Sequence, residues 1–149
     1  ARTFEAASYL RRCGADTAAV QDMLKEDLEL FNQKAELIRS AVVLYGQIAV
    51  AVAEPGRKFS QLTIAKAADT LLNMSDIAAS FVIAERKDGG VGISARSLGQ
   101  INVQVIMEAF GGGGHFANAA AQWSGSLEEA AAKLRSILEK MHEEERLFE

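Results

Sequence analysis

The sequence predicts an α/β fold: a mixed sheet of about five strands covered by helices, with a helical arm in front. Three observations predict it. Helix-period and strand-period apolar patterns alternate between residues 42 and 138. The run from Ile77 to Ala84 is almost continuously apolar, as a central strand buried on both faces must be. A stretch opened by Ser126-Leu127-Glu128-Glu129 has the capping-box pattern and a long apolar stripe behind it.

The elements follow in order. Thr3 to Arg12 reads as a helix with Phe4, Ala7 and Leu10 on one face. Gly14-Ala15 breaks it, and Asp16 is placed to cap the next helix. From Thr17 to about Ala41, Leu24, Leu28, Phe31, Ala35, Ile38 and Val42 recur in steps of four and three, an amphipathic stripe. Packing on its own domain is the favoured use of that stripe, and pairing with a second copy is the rival. Val42 to Tyr45 and Ile48 to Ala53 flank Gly46-Gln47 as a hairpin. Ser60 to Met74 reads as a helix with Leu62, Ala65, Ala68, Leu71 and Leu72 inward. Asp88-Gly89 suits a type I′ turn. Val91 to Ser97 then alternates, with Gly92, Ser94 and Arg96 on its more polar face. Ile101 to Phe110 reads as a short buried helix, and Gln122 to Ser124 as a last strand. Residues 1–41 are thus the arm and 42–149 the sheet domain.

Composition narrows the function. The 149 residues are 49% hydrophobic and 24% charged, an ordinary globular balance. The net charge of −4 speaks against a broad nucleic-acid footprint but allows a small charged ligand in a local site. Cys13 stands alone, which fits a reducing compartment. No apolar run approaches the ~20 residues that span a bilayer, so no membrane contact is expected of these residues. The chain opens on Ala1 rather than Met and reads as helix at once, as an excised piece of a longer protein would.

The stretch with chemical meaning is Phe110-Gly111-Gly112-Gly113-Gly114-His115. Glycines let a ligand reach the backbone and let successive N–H groups turn to one point, a nest for an oxyanion. A flexible connector would mix Ser and charged residues with Gly, whereas this run lies between apolar segments. Phe116 to Ala121 is expected to form a helical turn whose first N–H groups face the same point. Ser94 and Arg96 on their strand, the nest, His115 and Asn118 together describe a phosphate clamp, with Arg96 offering a planar fork. A surface ion pair for Arg96 and a solvent-facing position for Ser94 are the competing readings. The aspartates are scattered and no histidine sits at ligand spacing from them, so neither metal ligands nor a catalytic group is expected in this chain.

With these residues in hand, the chain resembles a known family. Gly112-Gly113-Gly114-His115 followed by Asn118-Ala119-Ala120-Ala121 is similar to the GGGH motif of the DHHA1 domain of DHH-family phosphoesterases. Gly92-Ile93-Ser94-Ala95-Arg96-Ser97 and Ile101 to Glu108 resemble the membrane-anchored cyclic-di-AMP phosphodiesterases of Gram-positive bacteria, the GdpP/YybT type. Arg2 to Arg11 and Gly14-Ala15-Asp16 resemble the last helices of their DHH domain. The resemblance implies a substrate-binding half that closes over a DHH domain carrying two metal ions, usually manganese (Mn2+). It implies a cyclic dinucleotide or short oligonucleotide as ligand, gripped by Arg96, Gly112, Gly113, Gly114 and His115. It also implies a parent anchored in the cell membrane with this domain in the cytoplasm. Many relatives carry a further Gly where this chain has Ala121-Gln122, which bears on the contacts of Asn118. The Asp-His-His metal motif is absent, so hydrolysis by this chain alone is not expected. An oligoribonuclease domain, a nucleic-acid-binding appendage and a dimerisation module are the rival readings.

Overall fold

The computed structural model describes residues 17–144. The helix expected at Thr3 to Arg12, the cap at Asp16 and Cys13 lie outside the described residues, as does the side chain of Leu24. The elements are α1 (Thr17–Arg39), β1 (Ala41–Leu44), β2 (Ile48–Val52), β3 (Lys58–Phe59), α2 (Gln61–Leu72), β4 (Ala79–Arg86), β5 (Val91–Ser97), α3 (Val103–Glu108), β6 (Gly113–His115), β7 (Asn118–Trp123) and α4 (Leu127–Glu143). The strands form one seven-stranded sheet in the order β1-β2-β4-β5-β7-β6, with β3 beside β4. β4 runs parallel to β2 and β3, and the other pairs are antiparallel. The sheet has more than the expected five strands because β3 and β6 are only two and three residues long, too short for an alternation signal.

Alternation along the strands splits the core in two. Ile48, Val50, Phe81, Ile83, Ile93 and Ala95 face α3 and α4, which contribute Val103, Ile106, Met107, Leu134 and Leu138. Ala49, Ala51, Val82 and Ala84 face α2, which contributes Ile64, Ala67, Ala68 and Leu71. β4 is apolar on both sides because both sides are covered. Leu37, near the end of α1, is 1% exposed in the second core. The last turns of α1 therefore join the helical layer rather than standing off as an arm. The face read as inward, by contrast, leaves Leu28 and Phe31 exposed, and the helix ends at Arg39, before Val42.

Local chemistry sets the boundaries. Ser60 caps α2 by accepting from the Thr63 N–H at 3.1 Å. Ala68 and Leu71 face inward as expected, joined by Thr63, Ile64 and Ala67, whereas Leu62 is exposed. Tyr45 and Gly46 both adopt left-handed φ in the β1–β2 hairpin, and Gln47 N–H closes it on Leu44 O, the primed geometry that matches strand twist. The β4–β5 connection is wider than the expected type I′ turn: Gly89 and Gly90, not Asp88, take positive φ. Ser126 caps α4 by accepting from Glu129 N–H. Ser126→Ala is expected to lower unfolding free energy by about 1 kcal/mol, and an unchanged urea midpoint would refute the cap's contribution. His142 lies within α4 and stacks on Tyr45 with ring centroids 4.0 Å apart. Glu36 of α1 pairs with Arg57 before β3 at 2.6 Å, and the Arg57 hydrogen bond holds the Glu36 carboxyl below the usual carboxylate range.

Candidate phosphate-binding surface

The glycine run does not form a four-amide nest. Gly111, at φ 82°, ends α3: its N–H donates to Glu108 O at 3.0 Å, and the Gly112 N–H donates to Met107 O at 2.9 Å. Two bonds in this crossed pattern are a Schellman cap, which takes up orphan carbonyls of the last helical turn. Gly113, Gly114 and His115 then enter the sheet as edge strand β6. The expected helical turn over Phe116 to Ala121 is absent. Phe116 and Ala117 join β6 to β7, and Asn118 to Trp123 is strand throughout. The small residues Ala119 to Ala121 suit a strand here because β6 and α3 crowd them from the side and from one face. That face puts Ala119 and Ala121 in the core.

Two of the glycines answer to this packing. A Cβ on Gly112 would strike Ala120 O and the Ala121 side chain, and one on Gly114 would lie 2.6 Å from Asn118 O. Gly113 differs. A Cβ there would meet nothing within 4 Å, and its φ is not left-handed. Nothing among the described residues requires Gly113 to lack a side chain.

Register assembles the rest. Arg96 of β5 lies opposite Asn118 of β7, which lies opposite His115 of β6. Directly opposed residues of antiparallel strands point to one face. The three side chains thus form a row across three strands about 10 Å wide, on the α2 side of the sheet. The row below is Ser94, Ala120 and Gly113. α2 covers only the β5 end of that face. Ser94 is 1% exposed, and its Oγ accepts from Gln61 Nε2 at 3.2 Å. The structure therefore does not bring Ser94 to the open surface. Asn118, His115 and Ala120 remain exposed.

Arg96 is nine-tenths buried, and its guanidinium is held on two sides. Nε donates to Asp69 Oδ1 of α2 at 2.7 Å, and Nη1 donates to Ala95 O at 2.9 Å. His115 Nδ1 accepts from the Ala117 N–H at 3.3 Å, so the neutral ring carries its proton on Nε2 as a donor. Its ring lies 4.3 Å from that of Phe116, which is 44% exposed on the hairpin tip. Farther along the same face, Gln61, Gly111, Gly112, Ala120 and Gln122 line a groove of about 430 Å³. The sequence reading missed Asp69, Gln61 and Phe116. Asp69 is the only carboxylate in α2, but its meeting with Arg96 spans 27 residues and no local pattern announces it.

A model of one family, the DHHA1 domain, matches residues 43–144. The chain belongs to the DHHA1 family. Curated relatives of this DHHA1 chain include the cyclic-di-AMP phosphodiesterase PdeA of Listeria monocytogenes, 54% identical over 81% of the chain and 18% of that protein. The cyclic-di-AMP phosphodiesterases GdpP of Geobacillus thermodenitrificans and Bacillus subtilis are 52% and 49% identical, over 92% and 95% of the chain and 21% and 22% of their own lengths. The DHHA1 chain thus spans about a fifth of these relatives. Among solved structures, an exopolyphosphatase-related protein from Bacteroides fragilis shares the fold with a TM-score of 0.63 at 18% identity, covering 90% of this chain and 42% of that one. Among the described residues of this DHHA1 domain, no three His, Cys, Asp or Glu side chains converge to hold a metal ion. These residues do not fit the two-metal centre of a phosphoesterase. No described helix is long and apolar enough to cross a membrane.

Proposed function

We propose that this DHHA1 domain is the substrate-gripping half of a cyclic-di-AMP phosphodiesterase, a hydrolase that opens a 3′-5′ phosphodiester to a linear dinucleotide. The observation that carries the reading is the row Arg96–Asn118–His115 beside the uncovered backbone of Gly113. The row offers a guanidinium, an amide and an imidazole N–H on one rigid surface, complementary to a phosphate in charge and in donors. Gly113 lets the phosphate approach the edge strand without meeting a side chain. Phe116 presents a ring face on which a base can stack. The relatives named as cyclic-di-AMP phosphodiesterases support the choice of nucleotide.

In this reading the chain binds and orients, and the attacking hydroxide comes from a DHH domain of the same parent that carries manganese. The parent is anchored in the membrane with this domain in the cytosol. The exposed Leu28 and Phe31 of α1 are available to the DHH domain or to a second copy. The test is hydrolysis of cyclic-di-AMP with manganese by this chain and by the chain joined to its DHH domain. Turnover by the longer protein alone is expected. Turnover by this chain alone would overturn the division of labour, and silence in both would overturn the assignment of substrate.

A further inference from the structure

We infer that Asp69 is a positioning residue for the ligand phosphate, acting through Arg96; the inference rests on the clamp proposed above. Arginine ordinarily loses much rotamer freedom when it grips an anion. Here that freedom is already removed. Asp69 Oδ1 accepts from Nε at 2.7 Å, and the carbonyls of Ala95 and Ala119 accept from Nη1 at 2.9 and 3.5 Å. Those bonds occupy Nε and Nη1 but leave Nη2 with no hydrogen-bonding partner among the described residues. The Arg96 side chain keeps 11% of its surface exposed, and Nη2 is not among the fully buried polar atoms that lack a partner, so it is not sealed from solvent. Both of its N–H groups are therefore free for a phosphate oxygen.

The geometry of Asp69 fits this role better than that of a stabilising ion pair. Its side chain is half exposed while that of Arg96 is 11% exposed, so solvent screens the carboxylate more than the guanidinium. A partly exposed pair of this kind adds little stability. It contacts Arg96 through one oxygen on Nε rather than by the two-pronged fork that would also occupy Nη2. A second anion can therefore join the same guanidinium without displacing the first. α2 holds the carboxylate in place through its own packing, with Ala67, Ala68 and Leu71 buried around it. The neighbouring Ser80 Oγ donates to Ala68 O at 2.7 Å, which fixes this turn of the helix against β4.

The test is steady-state hydrolysis of cyclic-di-AMP by the full-length parent. Asp69→Ala is expected to raise KM about tenfold with kcat changed by less than about twofold, because the preset guanidinium serves binding before and during the reaction alike. Asp69→Asn, whose Oδ1 still accepts from Nε, is expected to recover most of the loss. In an Arg96→Ala background, Asp69→Ala is expected to add nothing, since its effect runs through that arginine. A purely structural role for Asp69 predicts instead that the two losses add and that Asn rescues stability but not KM. An unchanged or lowered KM for Asp69→Ala, with Arg96→Ala impaired, would overturn the inference and leave the clamp standing. An unimpaired Arg96→Ala would overturn the clamp itself. Melting curves of both Asp69 variants identify loss of fold, and the Asn variant carries the comparison if the Ala variant unfolds.

Discussion

Gly112→Ala is expected to destabilise the chain by about 3 kcal/mol or more, whereas Gly113→Ala is expected to change stability by less than about 1 kcal/mol. The two substitutions add the same methyl group to adjacent residues. At Gly112 the methyl meets the Ala120 carbonyl and the Ala121 side chain. Backbone of a paired strand cannot give way as a flexible side chain can. Relief requires β6 to leave β7 or the α3 cap to open, and the bond from Gly112 N–H to Met107 O would go with it. At Gly113 the methyl points into open space on the α2 side of the edge strand. Its effect is expected in function alone: kcat/KM for cyclic-di-AMP in the parent should fall about tenfold or more, because the methyl stands where the phosphate approaches. Urea unfolding of the chain and kinetics of the parent separate the two. Equal stability of both variants would remove the packing account of the glycine run. A fully active Gly113→Ala would remove that residue from the binding surface.

Arg96→Ala and His115→Ala are each expected to lower kcat/KM about tenfold or more, a charge-assisted hydrogen bond being worth ~1.5–3 kcal/mol. The two should differ in their side effects. Arg96 is buried and shared among Asp69, Ala95 and Ala119. Its removal leaves carbonyls and a carboxylate without their donor, so a loss of stability accompanies the loss of activity. His115 is exposed, and among the described residues its side chain is hydrogen-bonded only to Ala117 N–H within the hairpin, so its removal should leave the melting temperature nearly unchanged. Arg96→Lys keeps the charge but not the fork, and it should recover little activity if Nη2 makes the contact. Parent enzymes carrying either Ala substitution with unchanged kinetics would sink the clamp.

Much of this protein is legible in its sequence. The β4 run, the β1–β2 hairpin, the Ser126 cap and the apolar stripe of α4 rest on neighbours within a few residues, where period and capping chemistry act directly. The motif text around Gly112 to His115 and Arg96 pointed to the DHHA1 family, which the match over residues 43–144 shows. What the sequence left open depends on contacts between distant residues. Glycine is used in this run for a helix cap at Gly111, for strand approach at Gly112 and Gly114, and for neither at Gly113. One residue type in three different settings cannot be sorted by spacing. The burial of Ser94 and the tie of Arg96 to Asp69 depend on where α2 crosses β5. The alternation of β5 gave the polar face correctly but not what covers it. The row of Arg96, Asn118 and His115 exists because β7 pairs with β5 and β6 in one register. Shifting either pairing by one residue would turn a member of the row to the other face. Sequence alone therefore determined the longer elements and the chemistry available. Tertiary structure decided which of those groups share a surface, because strand register and helix crossing are set by the packing of both cores rather than by any local signal.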